Sequence, residues 1–294
     1  MSVNPTEIFK SLHPSRLAHY RSLSGGQDAD ALALYEWNIE VAAALQDPLG
    51  IAEVAVRHAI DTQLCGWSQQ HVGAPEWIDH RAGIPYYEMV RGRTMISQAE
   101  FVSNLRLAQR VTEVPGVILE AGTWRAGMIA GIAKLLGNGR EYWLCDSFEG
   151  MPPAEEIDGY CTLDNLHALE WEKHHNNLAA DYDAKESMSL VGIDNYQLVK
   201  GWFEDTLPGL DFSEGIALLR LDADWHSSTT TILENLFPKV NEGGMIIVDD
   251  YYAWDGCARA VHEYLAREGR TERITTEGAW WLGAGVCFMV KKAG

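Results

Sequence analysis

The chain has 294 residues, 47% of them hydrophobic, and 23 Lys and Arg against 42 Asp and Glu give a formal net charge of −19. That apolar content excludes wholesale disorder, and the acidic balance argues against nucleic acid and anionic lipid as partners, since both select for clustered Lys and Arg. No apolar run approaches the ~20 residues of a bilayer span, and Met1–Lys10 lacks the apolar core of a signal peptide. Five scattered cysteines (Cys65, Cys145, Cys161, Cys257, Cys287) without CxxC spacing read as reduced thiols of a cytoplasmic protein.

The charge is uneven: residues 1–110 carry 9 basic and 12 acidic side chains, and residues 111–294 carry 14 and 30. The first part reads as helical. Ser24-Gly25-Gly26-Gln27-Asp28 is a turn, Ala29–Gln46 runs without Gly or Pro, and Pro48–Trp67 places Ile51, Val54, Ala55, Ala59 and Thr62 near a 3.6-residue period. Gly73-Ala74-Pro75 and Gly83-Ile84-Pro85 predict a loop over Val72–Tyr87, and a helix is expected over Thr94–Val111.

From Pro115 strands and helices alternate. Val117–Glu120 is a short apolar strand, followed by a glycine-bearing turn and a helix ending at Leu136 before Gly137-Asn138-Gly139. Further strands are expected at Glu141–Cys145, Gln197–Lys200, Ile216–Leu221 and, after a Gly243-Gly244 turn, Met245–Val248. Helices are expected over Thr229–Val240 and Gly256–Glu268, and Arg273–Thr276 with Gly285–Val290 read as a closing hairpin. This is the pattern of an α/β doubly wound, mostly parallel sheet of seven strands, whose ligands sit at the carboxyl ends of the strands.

Polar residues stand at those ends. Glu120-Ala121-Gly122-Thr123-Trp124-Arg125-Ala126-Gly127 is a strand-to-helix turn whose glycines let a ligand approach the backbone beside an electropositive helix start, or serve close packing alone. It is neither Gly-x-Gly-x-x-Gly nor a P-loop, which disfavours dinucleotides and nucleoside triphosphates. Asp146, opening Asp146-Ser147-Phe148-Glu149-Gly150, suits the paired hydroxyls of a ribose, with a helix N-cap as the bland alternative. Asp222-Ala223-Asp224-Trp225-His226 and Asp249-Asp250-Tyr251-Tyr252 put four Asp on one rim, where they repel one another unless protons or a cation intervene. Mg²⁺ with a few carboxylates and retained waters resolves this; the bland alternative is that Asp222 and Asp249 cap helices.

Together these stretches resemble class I S-adenosylmethionine-dependent methyltransferases, and within them the macrocin O-methyltransferase (TylF-type) family. The resemblance spans Thr94–Lys292 and is carried by Thr94-Met95-Ile96, Glu120–Gly127, Asp146–Pro152, Gly201-Trp202-Phe203-Glu204-Asp205-Thr206-Leu207-Pro208, Leu219–Asp224 and Ile247–Tyr251. It implies a Rossmann-like fold and Mg²⁺-dependent methyl transfer from S-adenosylmethionine to a hydroxyl of a sugar or sugar-decorated natural product. Thr94 and Met95 would cover the cofactor, Glu120, Ala121, Gly122, Thr123 and Trp124 would line its methionine and ribose, and Asp146 would hold the ribose. Ser147, Phe148, Glu149, Gly150 and Trp202 would surround the adenosine, and Asp222, Asp249 and Asp250 would hold the metal. The family's Asp-Gly-Asp-x-Tyr is here Asp222-Ala223-Asp224-Trp225-His226, a departure beside the substrate. A carboxylate beside the metal is expected to take the proton, Asp222 being the first candidate and Asp224 and His226 its rivals. A catechol or phenolic acceptor, or a non-catalytic binding or regulatory module, are the competing functions.

Residues 16–67, with Leu34-Tyr35-Glu36-Trp37-Asn38 and Glu53–Ile60, resemble the opening helices of Abi-like proteins, some of whose relatives are RNases; His58 follows Arg57 where an Asn is usual, and no nuclease activity is expected. Residues 1–85 are therefore expected as a helical module for dimerisation or lidding, and 86–294 as the methyltransferase domain, the whole forming a homodimer or larger homo-oligomer. Residues 151–196 hold 10 acidic and 2 basic side chains and exceed an ordinary loop, so a lid or a partly disordered segment is expected there, with a solvated flap as the plainer alternative.

Overall fold

The computed structural model of the protein describes residues 83–293, apart from 163–165, 174, 176 and 280–283, and isolated positions between 21 and 34. The helices expected over Ala29–Gln46 and Pro48–Trp67, apart from the isolated positions just named, the Abi-like resemblance and Cys65 lie outside the described residues. By contacts the chain divides into units 1–77 and 78–294, and the second of these contains the sheet.

Seven strands form that sheet: β1 Val117–Ala121, β2 Tyr142–Asp146, β3 Tyr196–Lys200, β4 Ile216–Leu221, β5 Val240–Val248, β6 Thr275–Ala279 and β7 Ala284–Val290, in the order β3-β2-β1-β4-β5-β7-β6. β1 to β5 are parallel, and β7 lies antiparallel between β5 and β6. The chain winds outward from β1 to β3, then returns to β4 on β1's other side, so the crevice between the β1 and β4 ends is where the winding reverses.

Strand parity builds two cores. Ile118 of β1 and Leu218 of β4 pack with Phe101, Leu105, Ile129 and Ile132, while Leu119 and Leu219 pack on the other face with Ile232, Leu236, Val261 and Leu265. The first face is covered by α1 Gly83–Val90, α2 Gln98–Gln109, α3 Gly127–Leu136 and, after the short α4 Ala168–Trp171, by α5 Asp181–Leu190. The second is covered by α7 His226–Leu236 and α8 Asp255–Arg267, with the one-turn α6 Phe203–Thr206 following β3. Among the described residues no helix is long and apolar enough to cross a membrane, and Cys145, Cys161, Cys257 and Cys287 are free and buried.

Several boundaries differ from the expected ones for physical reasons. Residues 83–87, expected in a loop, open α1: Pro85 stands in the first turn, where its missing N–H is not needed. α2 begins at Gln98 rather than Thr94 because Ser97 caps it, its Oγ accepting from Glu100 N at 3.3 Å while Glu100 Oε2 accepts from Ser97 N at 2.9 Å. Gly243-Gly244 is no turn between elements but lies within β5, where the register against β4 shifts between Ile216 and Leu218 and Gly243 takes φ +77°. Within 151–196, α5 buries Ala184, Ser187 and Met188 against the first core, so this stretch is the crossover from β2 to β3 rather than a flap.

The preceding stretch is stitched down as well. Asp158 is buried, its Oδ1 accepting the His226 N–H at 2.7 Å at the α7 N-terminus. Trp225 Nε1 donates to Pro152 O at 3.0 Å, and Thr162 N to Ala253 O at 2.8 Å. Trp225, Trp254 and Trp171 meet edge to face, with centroids 4.9 to 6.0 Å apart.

A candidate active site at the carboxyl ends of the strands

The parallel ladder runs on into the loops. Gly122 N donates to Cys145 O at 2.9 Å, Asp222 N to Ala121 O at 2.9 Å and Gly201 N to Asp146 O at 3.0 Å, so the ends of β1, β2, β3 and β4 stand side by side. Gly122 has φ +92°, and a Cβ there would lie 1.5 Å from the Asp222 carbonyl oxygen; only glycine lets β1 leave the sheet so close to β4. Trp124, Ala126, Phe148 and Asp224 also hold positive φ along this rim, a concentration of local strain at one edge of the sheet.

A cavity of about 350 Å³ opens over this edge. One wall is Gly122, Trp124, Asp146, Ser147, Gly150, Trp202, Phe203 and Glu204; the other is Asp222, Ala223 and Asp224 with Ser227, Ser228 and Thr231 from α7; Met95, Met151, Pro152 and Asn177 complete it. Of the residues expected at the site, Met95, Gly122, Trp124, Asp146, Ser147, Gly150, Trp202, Asp222 and Asp224 thus surround one space. Glu120, Ala121 and Thr123 are instead buried behind it, as is Phe148, and Glu149 is exposed outside it. Thr94 packs against the start of α3, 2.9 Å from where a Cβ at Gly127 would stand. His226 does not line the cavity: its Nε2 meets Glu263 Oε2 of α8 at 2.9 Å. Ser227, Ser228 and Thr231 escape sequence reasoning because α7 starts at His226 rather than Thr229; the run of hydroxyl residues straight after the β4 end is the available signal.

Asp146 is mostly buried and accepts two backbone donors, Trp124 N on Oδ2 and Phe148 N on Oδ1, each at 2.7 Å. Burial raises its pKa, and these hydrogen bonds partly oppose the rise. The carboxylate thereby ties the β1 and β2 turns together while facing the cavity.

Arg220, inside a strand of otherwise apolar residues, is the centre of the rim. It is 1% exposed and directly opposite Glu120 in the β1–β4 register, while Asp222 lies two residues on, on the same face. Its Nη1 donates to Glu120 Oε1 at 2.8 Å and to Asp222 Oδ2 at 2.6 Å, its Nη2 to Asp249 Oδ1, and its Nε to Asn104 Oδ1 of α2 at 3.2 Å. Beside it, Asp250 Oδ2 accepts from Ala223 N at 3.1 Å and Asp224 N at 2.9 Å. Ala223 fills the place of a family glycine without strain, since its φ is not positive. Asp224 Oδ1 accepts from Trp254 Nε1 at 3.0 Å.

One oxygen each from Asp222, Asp249 and Asp250 lie within 4.8 Å of one another. Burial pushes Asp224 and Asp249 up to about 7, reinforced by the Asp222 charge and, at Asp249, opposed by Arg220. Burial with the charges of Asp224, Asp222 and Asp249 holds Asp250 well above the carboxylate range. Glu120, also raised by burial to about 8, keeps Oε2 buried without a hydrogen-bond partner. Among the described residues, five carboxyl groups gather around one guanidinium, and an all-oxygen donor set of this kind suits a hard divalent cation.

A family model described as Macrocin-O-methyltransferase (TylF) matches residues 47–282. A tetracenomycin 4'-O-methyltransferase of Streptomyces olivaceus, named for its 2,3-dimethoxy-alpha-L-rhamnosyl compound, is 36% identical over 57% of this chain and 66% of its own length. The mycinamicin III 3''-O-methyltransferase of Micromonospora griseorubida is 34% identical over 57% of this chain and 68% of its own. The chain thus spans about two thirds of the length of the curated relatives it matches. Among solved structures, the O-methyltransferase NovP superposes with a TM-score of 0.57 at 28% identity, covering 68% of this chain and 83% of NovP. The calicheamicin methyltransferase CalS11, at 17% identity and a TM-score of 0.50 over 71% of this chain and 91% of its own, shares the fold.

Proposed function

The chain belongs to the macrocin-O-methyltransferase (TylF) family, and from that premise we propose that it transfers a methyl group from S-adenosylmethionine to a sugar hydroxyl of a natural product, assisted by Mg²⁺. The observation that carries this is the single cavity on which the Asp146–Trp202 wall and the Asp222–Asp224 wall converge. The acceptor class is supported by the curated relatives, whose names specify methylation of a rhamnosyl tetracenomycin and of mycinamicin III.

Methyl transfer to oxygen is an in-line displacement at a sulfonium and needs an aligned, deprotonated hydroxyl. Asp146 would accept the ribose hydroxyls on lone pairs its two backbone bonds leave, with Trp202 and Trp124 lining the same cavity. Asp222, Asp249 and Asp250 would hold a divalent cation, which when bound would supply Lewis-acid chemistry to the acceptor hydroxyl. Asp224 takes the proton: it lines the cavity, and Trp254 fixes one of its oxygens, which leaves the other for the acceptor hydroxyl. His226, turned to Glu263, has no part in this step. Ser227, Ser228 and Thr231 offer hydroxyls to a polar acceptor.

Calorimetry with S-adenosylmethionine, followed by methyl transfer to glycosylated acceptors with EDTA and then excess Mg²⁺, tests the proposal. One-site cofactor binding and turnover lost to EDTA and restored by Mg²⁺ are expected. Absence of cofactor binding overturns it, and turnover indifferent to EDTA removes the cation alone.

A further inference from the structure

Asp222, Asp249 and Asp250 share one property: in each, one carboxylate oxygen is already committed to a fixed donor of the protein. Arg220 takes Asp222 Oδ2 with one Nη and Asp249 Oδ1 with the other, and the Ala223 and Asp224 N–H groups take Asp250 Oδ2. No hydrogen bond among the described residues engages the second oxygen of any of the three. Arg220 is itself held in place: it is 1% exposed, bonded behind to Glu120 and Asn104, and set in register within β4.

A carboxylate with one oxygen so held presents a single oxygen to a cation. Mg²⁺ accepts one oxygen per carboxylate and keeps its waters in an octahedron, whereas Ca²⁺ takes six to eight oxygens and gains from carboxylates that bind through both. We propose that Arg220 is a specificity-determining positioning residue, its forked guanidinium pinning Asp222 and Asp249 so that the site accepts small octahedral cations and discriminates against Ca²⁺. This rests on the divalent-cation role proposed above. The fork matters rather than the charge alone, because a lysine ammonium is a point charge on a flexible stem and does not present two parallel donors to two carboxylates.

The test is calorimetric titration of the whole protein with Mg²⁺, Mn²⁺ and Ca²⁺, in the wild type and in Arg220→Lys. A second variant, Arg220→Met with Glu120→Gln, removes the guanidinium together with the most deeply buried of the three carboxylates it pairs with, so that only the partly exposed Asp222 and Asp249 lose their partner. Thermal melts confirm which variants fold. The wild type is expected to bind Mg²⁺ and Mn²⁺ more tightly than Ca²⁺, and the ratio of Mg²⁺ to Ca²⁺ affinity is expected to fall about tenfold or more in whichever variant folds, as the freed oxygens become available to the larger ion. A wild type that binds Ca²⁺ as well as Mg²⁺, or a variant whose ratio is unchanged, overturns the role of Arg220 while leaving the cation site standing. A wild type that binds none of the three ions removes the cation role and this inference with it.

Discussion

At the scale of single residues, the rim divides into groups that touch ligands and groups that hold them. Asp224→Asn keeps an oxygen for Trp254 Nε1 but loses the base, so kcat is expected to fall by ~10²–10⁴ with cofactor affinity within a few-fold; rapid-quench kinetics and calorimetry separate the two, and near-normal turnover would take the proton from another group. Asp146→Ala removes the acceptor of both Trp124 N and Phe148 N as well as the cofactor contact, and cofactor affinity is expected to drop at least about tenfold, a loss of ~1.4 kcal/mol. Unchanged affinity would leave Asp146 a purely structural tie. The carboxylates are legible in the sequence because doubled Asp at strand ends is chemically conspicuous. Arg220 is not, although it stands in plain view inside an apolar strand: its meaning lies in the β1–β4 register, which sets it opposite Glu120, and no local pattern encodes register between strands 100 residues apart. For the same reason Glu120, expected to line the cavity, lies behind its wall.

At the scale of elements, alternation of strand and helix is legible throughout the second unit because short apolar runs bounded by Gly and Pro leave little choice. The errors fall where one residue type has two uses. Proline reads as a loop residue and opens α1 in the structure; paired glycines suggest a turn and instead mark the irregularity inside β5. α2 shows the local economy of a cap: Ser97→Ala is expected to cost about 1 kcal/mol in a denaturation experiment by freeing the Glu100 N–H. Between α8 and β6, Glu272 is fully buried, and burial alone would raise its pKa. The Arg270 fork and the Lys292 N–H outweigh burial, holding Glu272 below its usual value. A carboxylate depressed in the folded state contributes stability above its unfolded pKa and loses it as pH falls through the folded one. The stability gap between wild type and Glu272→Gln should therefore be constant near pH 7 and close below about pH 4.3, the ordinary Glu value; urea titrations across that range measure it, and a gap that widened on acidification would contradict the pairing.

For the whole molecule, the −19 charge is concentrated in residues 111–294, and part of it converges on a rim that a single guanidinium does not balance. A cation bound only to the folded state stabilises it by mass action, by ~2.7 kcal/mol at a hundredfold excess over Kd. Mg²⁺ is expected to raise Tm by several degrees in the wild type and by much less in Asp250→Asn, as differential scanning calorimetry would show. The doubly wound order and the position of the cavity at the β1–β4 reversal are legible as a class of architecture; the tailoring of residues 151–171 against α7 and α8 is not, because it depends on tryptophans meeting from three separate segments. That meeting has an optical consequence. Trp254 donates its indole N–H to Asp224 in the cavity wall and lies 4.9 Å from Trp225 and 5.4 Å from Trp171, so a chromophore with close energy-transfer neighbours is wired by one hydrogen bond to the residue assigned the proton. Intrinsic fluorescence is therefore expected to shift when the cavity fills, and the part of that shift lost in Trp254→Phe is the part this hydrogen bond carries.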